Sequence, residues 1–162
     1  MSYYDEIATG YNELHGEEQL KKLKLIHNYL TAHNLLSATD KILDVGCGTG
    51  LSAAVFQQQI EGVEPSKELA KQAPFPVTIA PAEQLPFPTK SVDVVLCVTV
   101  LHNFLEPETA VKEMKRVGKK VWVITILKKA VQAEELEALL RKNFRVQDVL
   151  DEEKDKIFVL TL

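Results

Sequence analysis

A glycine-rich turn that directly follows an apolar run is the feature that most constrains the fold of this chain. Residues 42–50 read Ile-Leu-Asp-Val-Gly-Cys-Gly-Thr-Gly, and the apolar part predicts a buried strand over Lys41–Val45. Gly46, Gly48 and Gly50 let the backbone pass unusually close to a ligand. In parallel α/β sheets, ligands bind beyond the carboxyl ends of the strands. The sequence therefore predicts a ligand site at this turn.

Strand and helix patterns alternate along the rest of the chain. This order predicts an α/β fold with a doubly wound, mostly parallel, seven-stranded sheet, helices on both faces and an antiparallel C-terminal hairpin. Ser66 and Pro107 are predicted to begin helices, and Gly118 to end one. The further predicted strands are Ile60–Glu64, Val77–Ala80, Val92–Val98, Val121–Ile126, Phe144–Leu150 and Lys156–Leu162, and the predicted helices are Glu17–His33, Lys67–Ala73, Pro107–Gly118 and Ala133–Lys142.

Length and composition predict one domain over residues 1–162, with an N-terminal arm and helix in residues 1–35 and a sheet domain in residues 36–162. A net charge of −4 gives no general attraction to nucleic acid. The two cysteines stand far apart and no His cluster has metal spacing, so we expect no metal site. No apolar run approaches the roughly 20 residues that span a bilayer, and the first ten residues do not resemble a signal peptide. We therefore expect a cytoplasmic protein without a membrane segment.

Two acidic residues near the glycine turn restrict the class of ligand. Asp44 stands just before the first glycine, where it would repel the pyrophosphate of a dinucleotide, and Leu51 occupies the place of that fingerprint's third glycine. A cationic ligand without phosphate would instead be attracted. Glu64, twenty positions after Asp44, ends the second predicted strand, where a carboxylate can accept both hydroxyls of a ribose. Taken alone, Glu64 could also be a solvated acid at a strand end.

These residues resemble motif I and the following acidic motif of class I S-adenosylmethionine-dependent methyltransferases, in particular the type 11, UbiE-like group. The resemblance continues through residues 80–87, which look like the adenine-binding turn, and through residues 91–95 and 100–104, which look like the fourth strand and its loop. It covers about residues 7–126 and implies a Rossmann-like fold with S-adenosylmethionine as the cofactor.

The resemblance also implies which residues contact the cofactor. The sequence departs from the family pattern at the adenine-binding turn, where Pro81 stands in place of the usual Asp. We therefore expect the adenine to be bound in another way, with the Ala82 backbone N–H reaching the ring. Leu85 and Phe87 either line the adenine or belong to the core. The implied cofactor-binding residues are Tyr11, Asp44, Gly46, Cys47, Gly48, Gly50, Glu64, Pro65, Ala82, Glu83 and Val98.

Two residues are candidates for catalysis. His102 lies where the family loop faces the substrate, and it either takes a proton from the acceptor or forms a structural hydrogen bond at the pocket rim. Tyr11 resembles the arm tyrosine that folds over the methionine end of the cofactor. Methyl transfer needs mainly alignment and exclusion of water, so a base is optional. Cys47 is interpreted as a packing residue, not a nucleophile.

The acceptor is the part of the function that the residues leave open. Only about six residues, Leu127–Gln132, precede the next helix, so the N-terminal arm is the expected lid and a small-molecule acceptor is favoured. A methyltransferase that acts on RNA or protein with a small activating partner, a catalytically silent cofactor-binding module and a nucleotide-dependent oxidoreductase stay as alternatives. A basic cluster that could meet RNA, or simply be a solvated surface, comprises Lys112, Lys115, Arg116, Lys119, Lys120, Lys128 and Lys129.

Overall fold

A computed structural model describes residues 11–162, with side chains from residue 16 onward; residues 1–10 and the side chains of residues 11–15 lie outside the described part. Seven strands form one sheet in the order β3-β2-β1-β4-β5-β7-β6. The strands are β1 Lys41–Val45, β2 Gln59–Val63, β3 Val77–Thr78, β4 Val92–Cys97, β5 Gly118–Leu127, β6 Arg145–Asp151 and β7 Asp155–Thr161. The helices are α1 Tyr11–Ala32, α2 Lys67–Ala70, α3 Pro107–Val117 and α4 Ala133–Asn143, with short 3₁₀ turns at Leu51–Ala54 and Leu101–Asn103.

The strand directions confirm the predicted topology. Strands β1 to β5 pair in parallel, whereas β7 is antiparallel to both β5 and β6. The strand order reverses beside β1, since β2 and β3 lie on one side and β4 on the other. The crevice at the carboxyl ends of β1 and β4 is therefore the switch point at which α/β sheets bind ligands.

Each face of the sheet has its own apolar core, because side chains alternate between the two faces of a strand. On the face covered by α1, which we call the α1 face, Ile42, Val94 and Val121 pack with Leu23 and Ile26 of the helix. The opposite face packs against α3 and α4. Its buried residues include Leu43, Val95, Trp122, Phe158, Met114 and Leu140. The alternation decides which face receives each polar residue at the ends of the strands.

Several element boundaries differ from the sequence-based prediction. Helix α1 begins at Tyr11 instead of Glu17, because one glycine inside a helix costs only about 1 kcal/mol and Gly16 does not end it. Leu23, Ile26 and Leu30 of this helix are buried, whereas Leu25 is exposed. Strand β2 ends at Val63, so Glu64 lies just beyond the strand.

The junction of α3 and β5 is tighter than predicted. Gly118 ends α3 as expected, but it has an extended backbone and is itself the first residue of β5, so no loop precedes Val121. A Cβ at Gly118 would lie 2.6 Å from Nε1 of the fully buried Trp122 indole, whose N–H donates to the Met114 carbonyl at 2.7 Å. The glycine is therefore needed for close packing against the indole.

We expect Gly118→Ala to lower the free energy of unfolding by about 1–3 kcal/mol, because a methyl group there overpacks a core whose indole cannot move without losing its hydrogen bond. Denaturant unfolding followed by the fluorescence of the single tryptophan measures the change. Gly16→Ala is the matched control: among the described residues, a Cβ there meets nothing within 4 Å, so stability should stay constant or rise. Equal stability of Gly118→Ala and the wild type would contradict this packing argument.

Candidate functional site

Asp44 is a buried carboxylate at the carboxyl end of β1. It follows Ile42 at the strand period of two, so its side chain lies on the α1 face. The Ser52 hydroxyl donates to Asp44 Oδ2 at 2.6 Å, and the residue is 7% exposed. Burial raises the pKa of Asp44 to about 6; the Ser52 hydrogen bond opposes the rise and the charge of Glu64 adds to it. A cation beside Asp44 would stabilise its charged form.

The glycine turn has the backbone that its sequence predicts. Gly46, Gly48 and Gly50 all have positive φ angles, between 57° and 80°. At Gly46 a side chain is excluded for a second reason, since a Cβ there would lie 2.8 Å from Val100 Cγ2. The Gly46 N–H donates to the Val63 carbonyl at 2.7 Å, which holds the turn against the end of β2.

Glu64 connects the turn after β1 with the segment after β2. Its Oε1 accepts the Gly48 N–H at 2.9 Å and its Oε2 accepts the Ser66 N–H at 2.8 Å. The Ser66 hydroxyl in turn caps α2 by accepting the Leu69 N–H at 3.3 Å, as predicted for an N-cap. With a residue exposure of 6%, Glu64 is not the solvated acid of the alternative interpretation.

Two cavities meet at Gly46. The first, about 20 Å³, lies between α1 and the glycine turn, and Gln19 and Leu23 of α1 line it. Its other lining residues are Asp44, Gly46, Cys47, Thr49, Leu51, Ser52 and Val98. The second, about 190 Å³, is lined by Gly46, Val63, Pro65, Ala80, Pro81, Ala82, Glu83, Asn103, Phe104 and Leu105. An elongated ligand could therefore pass over Gly46 from one cavity into the other.

The structure brings together the predicted cofactor residues that it describes. Asp44, Cys47 and Val98 lie at the first cavity and Pro65, Ala82 and Glu83 at the second. Gly48 and Gly50 belong to the glycine turn that borders both cavities through Gly46, and Glu64 accepts a hydrogen bond from this turn. The side chain of Tyr11 lies outside the described residues, as does the rest of the predicted arm. Leu85 is buried in the core of the face opposite the α1 face and does not line the second cavity.

The side chains of Cys47 and His102 both have shifted pKa values. Burial raises the pKa of the Cys47 thiol far above its ordinary value, which agrees with a packing role. Burial also lowers the pKa of His102, with the Asp155 charge opposing and the Lys22 charge assisting the decrease. Its imidazole is therefore neutral near pH 7, and its Nδ1 is buried without a hydrogen-bond partner among the described residues. A neutral imidazole can accept a proton.

Sequence reasoning missed a buried polar cluster on the α1 face, which comprises Lys22, Thr99, Thr125 and Asp155. Lys22 and Asp155 form an ion pair at 3.3 Å, and their side chains are 3% and 0% exposed. Asp155 Oδ2 also accepts the hydroxyls of Thr99 at 2.8 Å and Thr125 at 3.0 Å. A signal was present in the sequence, because the α1-face positions of both β5 and β7 change from apolar to polar at the same end of the sheet. These positions are Val121, Val123 and Thr125 in β5, and Val159, Ile157 and Asp155 in β7.

The basic cluster predicted from the sequence is largely neutralised by nearby acids. Arg116 pairs with Glu113 at 2.7 Å and also donates to the carbonyls of Leu85 and Phe87, so it braces the loop before β4. Four of the lysines also have acidic partners. These pairs are Lys112–Glu108, Lys119–Asp93, Lys120–Asp40 and Lys128–Asp151. The positions agree with a solvated surface better than with a nucleic-acid interface.

The charges of the site fit a cationic ligand with hydroxyl groups. Asp44 and Glu64 are both buried acids, and the charge of Glu64 itself raises the pKa of Asp44. Two such carboxylates would repel a phosphate, whereas an ammonium group and ribose hydroxyls would compensate them. Within residues 11–162, no helix is long and apolar enough to cross a membrane, and no group of three or more His, Cys, Asp or Glu residues could hold a metal ion.

Comparisons with known proteins agree with this geometry. Residues 43–125 match the family described as methyltransferase domain. An uncharacterised protein of Methanocaldococcus jannaschii is 27% identical over 96% of this chain and 67% of its own length. A second protein of that organism is 32% identical over 74% of this chain, and the match covers 58% of the length of that protein.

Solved structures show the same fold. Magnesium protoporphyrin IX methyltransferase from Synechocystis, solved with bound S-adenosylmethionine, aligns over 89% of this chain and 80% of its own, with a TM-score of 0.70 and 16% identity. The methyltransferase in a complex with the Haloferax volcanii Trm112 activator aligns over 99% and 98% of the two chains, with a TM-score of 0.70 and 14% identity. The match over half of the sequence, on the predicted glycine turn and sheet, leads to one conclusion: the chain belongs to the methyltransferase domain family and has a class I, Rossmann-like fold.

Proposed function

We propose that this protein transfers the methyl group of S-adenosylmethionine to a small-molecule acceptor by in-line displacement. The observation that carries the proposal is the pair of buried carboxylates, Asp44 and Glu64, on either side of a left-handed glycine turn at which two cavities meet. This arrangement suits a ligand with a cationic end, a ribose and an aromatic base. A dinucleotide would place a pyrophosphate beside Asp44, which disfavours the oxidoreductase alternative.

Different residues are proposed to contact different parts of the cofactor. Asp44 would hold the ammonium group, and Glu64 would accept the ribose hydroxyls while keeping its bonds to the backbone of the turn. The second cavity suits the adenine, because it is largely apolar where Ala82 and Phe104 line it. Pro81 also lines this cavity and has neither a carboxylate nor an N–H, so the contact with the adenine amino group must come from elsewhere.

Bound there, S-adenosylmethionine supplies a methyl group on a sulfonium, which loses its positive charge as the methyl leaves. The protein contributes orientation and exclusion of water, which are large effects for such a displacement. His102, held neutral by burial, is proposed to take the proton of an acceptor that must lose one. Tyr11 is proposed to lie over the methionine end as part of a lid formed by residues 1–35.

A small-molecule acceptor is favoured by the enclosure of the site. Helix α1 already lies over the first cavity through Gln19 and Leu23, whereas the segment between β5 and α4 is too short to add further cover. The runner-up is an enzyme completed by a small activating protein, with RNA or protein as the acceptor. It is supported by the likeness to the methyltransferase of the Haloferax complex and by Leu105, which is 95% exposed beside the second cavity. A catalytically silent binding module would share the cofactor site but lack turnover. We place the reaction in the cytoplasm.

We expect S-adenosylhomocysteine to bind with a dissociation constant in the micromolar range, and NAD to give no measurable heat. The reason is that Asp44 and Glu64 favour a cationic ligand without phosphate. Isothermal titration calorimetry on the purified protein measures both. Tight binding of NAD without a response to S-adenosylhomocysteine would contradict the proposed function. A methyl-donor assay against fractionated cell extract then separates small molecules from RNA and protein as acceptors.

The Glu64→Ala variant should bind S-adenosylhomocysteine more weakly by about 1–3 kcal/mol, since charge-assisted hydrogen bonds to the ribose are lost and the Gly48 N–H loses its acceptor. Calorimetry gives the dissociation constant. Glu61→Ala is the matched control, because Glu61 lies on β2, three residues before Glu64, but lines a separate cavity near the amino ends of β1 and β4. An unchanged dissociation constant for Glu64→Ala would remove this residue from the cofactor site.

Cofactor affinity should fall as the pH is lowered. With the pKa of Asp44 at about 6, the charged fraction drops from nearly all at pH 7.5 to about a quarter at pH 5.5, so binding of S-adenosylhomocysteine should weaken about fourfold. The sign follows from the charge, since the protonated carboxyl no longer attracts an ammonium group. Asp44→Asn should bind weakly with a flat profile over this range. If wild type and variant show the same slope, Asp44 is not the group that titrates.

A further inference from the structure

The ion pair between Lys22 and Asp155 needs an explanation beyond stability. Both residues are almost completely buried, at 2% and 0% exposure. Removing two charges from water costs about as much as their attraction returns, and an apolar pair of similar volume often serves stability as well. The apolar core that surrounds the pair on the α1 face offers that simpler solution. The pair is therefore better explained by its position, since it connects α1 with β7.

The polar cluster connects four separate parts of the fold. Lys22 comes from α1, Thr99 from the segment after β4, Thr125 from β5 and Asp155 from the first position of β7. Asp155 Oδ2 forms the ion pair with Lys22 and accepts hydrogen bonds from the hydroxyls of Thr99 and Thr125. The cluster thus fixes the position of α1 relative to the carboxyl edge of the sheet.

The backbone of Thr99 depends on this cluster. Its φ is +60°, a conformation that a β-branched residue rarely adopts and that costs about 1–3 kcal/mol. The Thr99 N–H donates to Thr125 Oγ1 at 2.7 Å. The Thr99 hydroxyl donates to Asp155 and accepts a hydrogen bond from the Lys22 ammonium at 3.2 Å. Both hydrogen-bonding groups of the strained residue are therefore held by the cluster.

The cluster lies directly beside the first cavity. Gln19 and Leu23, which flank Lys22 on α1, line that cavity, and so does Val98, which precedes Thr99. Gln19 also contacts the cluster, with its Oε1 at 3.2 Å from Thr99 Oγ1. A shift of Lys22 or Thr99 would move two walls of the cavity that stands over Asp44, while the second cavity shares none of these walls.

We propose that Lys22 and Asp155 are positioning residues for the methionine end of the cofactor: their buried ion pair fixes α1 and Thr99 so that Gln19, Leu23 and Val98 close the cavity beside Asp44. The inference rests on the proposed function, since it assigns this cavity to the amino-acid part of S-adenosylmethionine. It predicts that breaking the ion pair weakens the binding of ligands that contain the amino-acid end but not of ligands that lack it.

The test compares two ligands by calorimetry: S-adenosylhomocysteine, and 5′-methylthioadenosine, which lacks the amino-acid end. Lys22→Met should raise the dissociation constant of S-adenosylhomocysteine by about tenfold or more, and leave that of 5′-methylthioadenosine within about twofold. Asp155→Asn should behave in the same way. Lys21→Met is the matched control, because Lys21 is the neighbouring residue on α1 and its pair with Glu153 is exposed, at 71% and 74% for the two side chains; it should change neither constant.

Thr125→Val is the milder variant, since it removes the Thr125 hydroxyl that donates to Asp155 and accepts the Thr99 N–H, but keeps both charges. It should give a smaller loss in the same direction, and it carries the test if a thermal melt shows that Lys22→Met or Asp155→Asn does not fold. Equal losses for both ligands in a folded variant, or no loss for S-adenosylhomocysteine, would overturn the positioning role. If the wild type binds neither ligand, the proposed function itself fails.

Discussion

The two hydrogen bonds of the Glu64 carboxylate hold the proposed cofactor site in shape. One oxygen accepts from the turn after β1 and the other from the segment that begins α2. A glycine turn has many accessible conformations in the absence of such a restraint, because three of its residues lack a Cβ. By accepting from Gly48, Glu64 selects the conformation in which Gly46 borders both cavities. The same carboxylate is thus a structural part of the site and its proposed ribose acceptor.

A second constraint is the separation of the two faces of the sheet. The strand period of two places apolar residues on both faces over most of each strand and then, at the carboxyl edge, places Asp44, Thr125 and Asp155 all on the α1 face. These polar groups need partners, and they find them in Ser52, Thr99 and Lys22. The opposite face has Trp122 and Phe158 in a core packed against α3 and α4. The α1 face therefore provides the polar groups around the first cavity, whereas Val63 and Ala82, which line the second cavity, belong to the core of the opposite face.

Much of this architecture could be predicted from the sequence, because it depends on local patterns. Apolar runs identified the strands, Ser66 and Pro107 identified helix starts, and Asp44 with the glycine turn identified the ligand class. The predicted start of α1 at Glu17 was wrong, because the helix continues through Gly16 to Tyr11 and one helical glycine is easily tolerated. The Lys22–Asp155 pair could not be predicted, because its partners are 133 positions apart (155 − 22) and meet only through the sheet order. The roles proposed for Tyr11, His102 and the arm stay predictions.

The position of β7 affects the order in which the fold can form. It is the last of the described strands along the chain, yet it lies in the interior of the sheet between β5 and β6. During synthesis, a chain that has emerged only as far as β6 must leave β5 as an open edge, with six residue pairs of its antiparallel ladder unmade. Unpaired edges of this kind attract other strands. The sheet therefore closes only after nearly all of the described chain has been made, and the nascent protein is exposed to mispairing or chaperone capture until then.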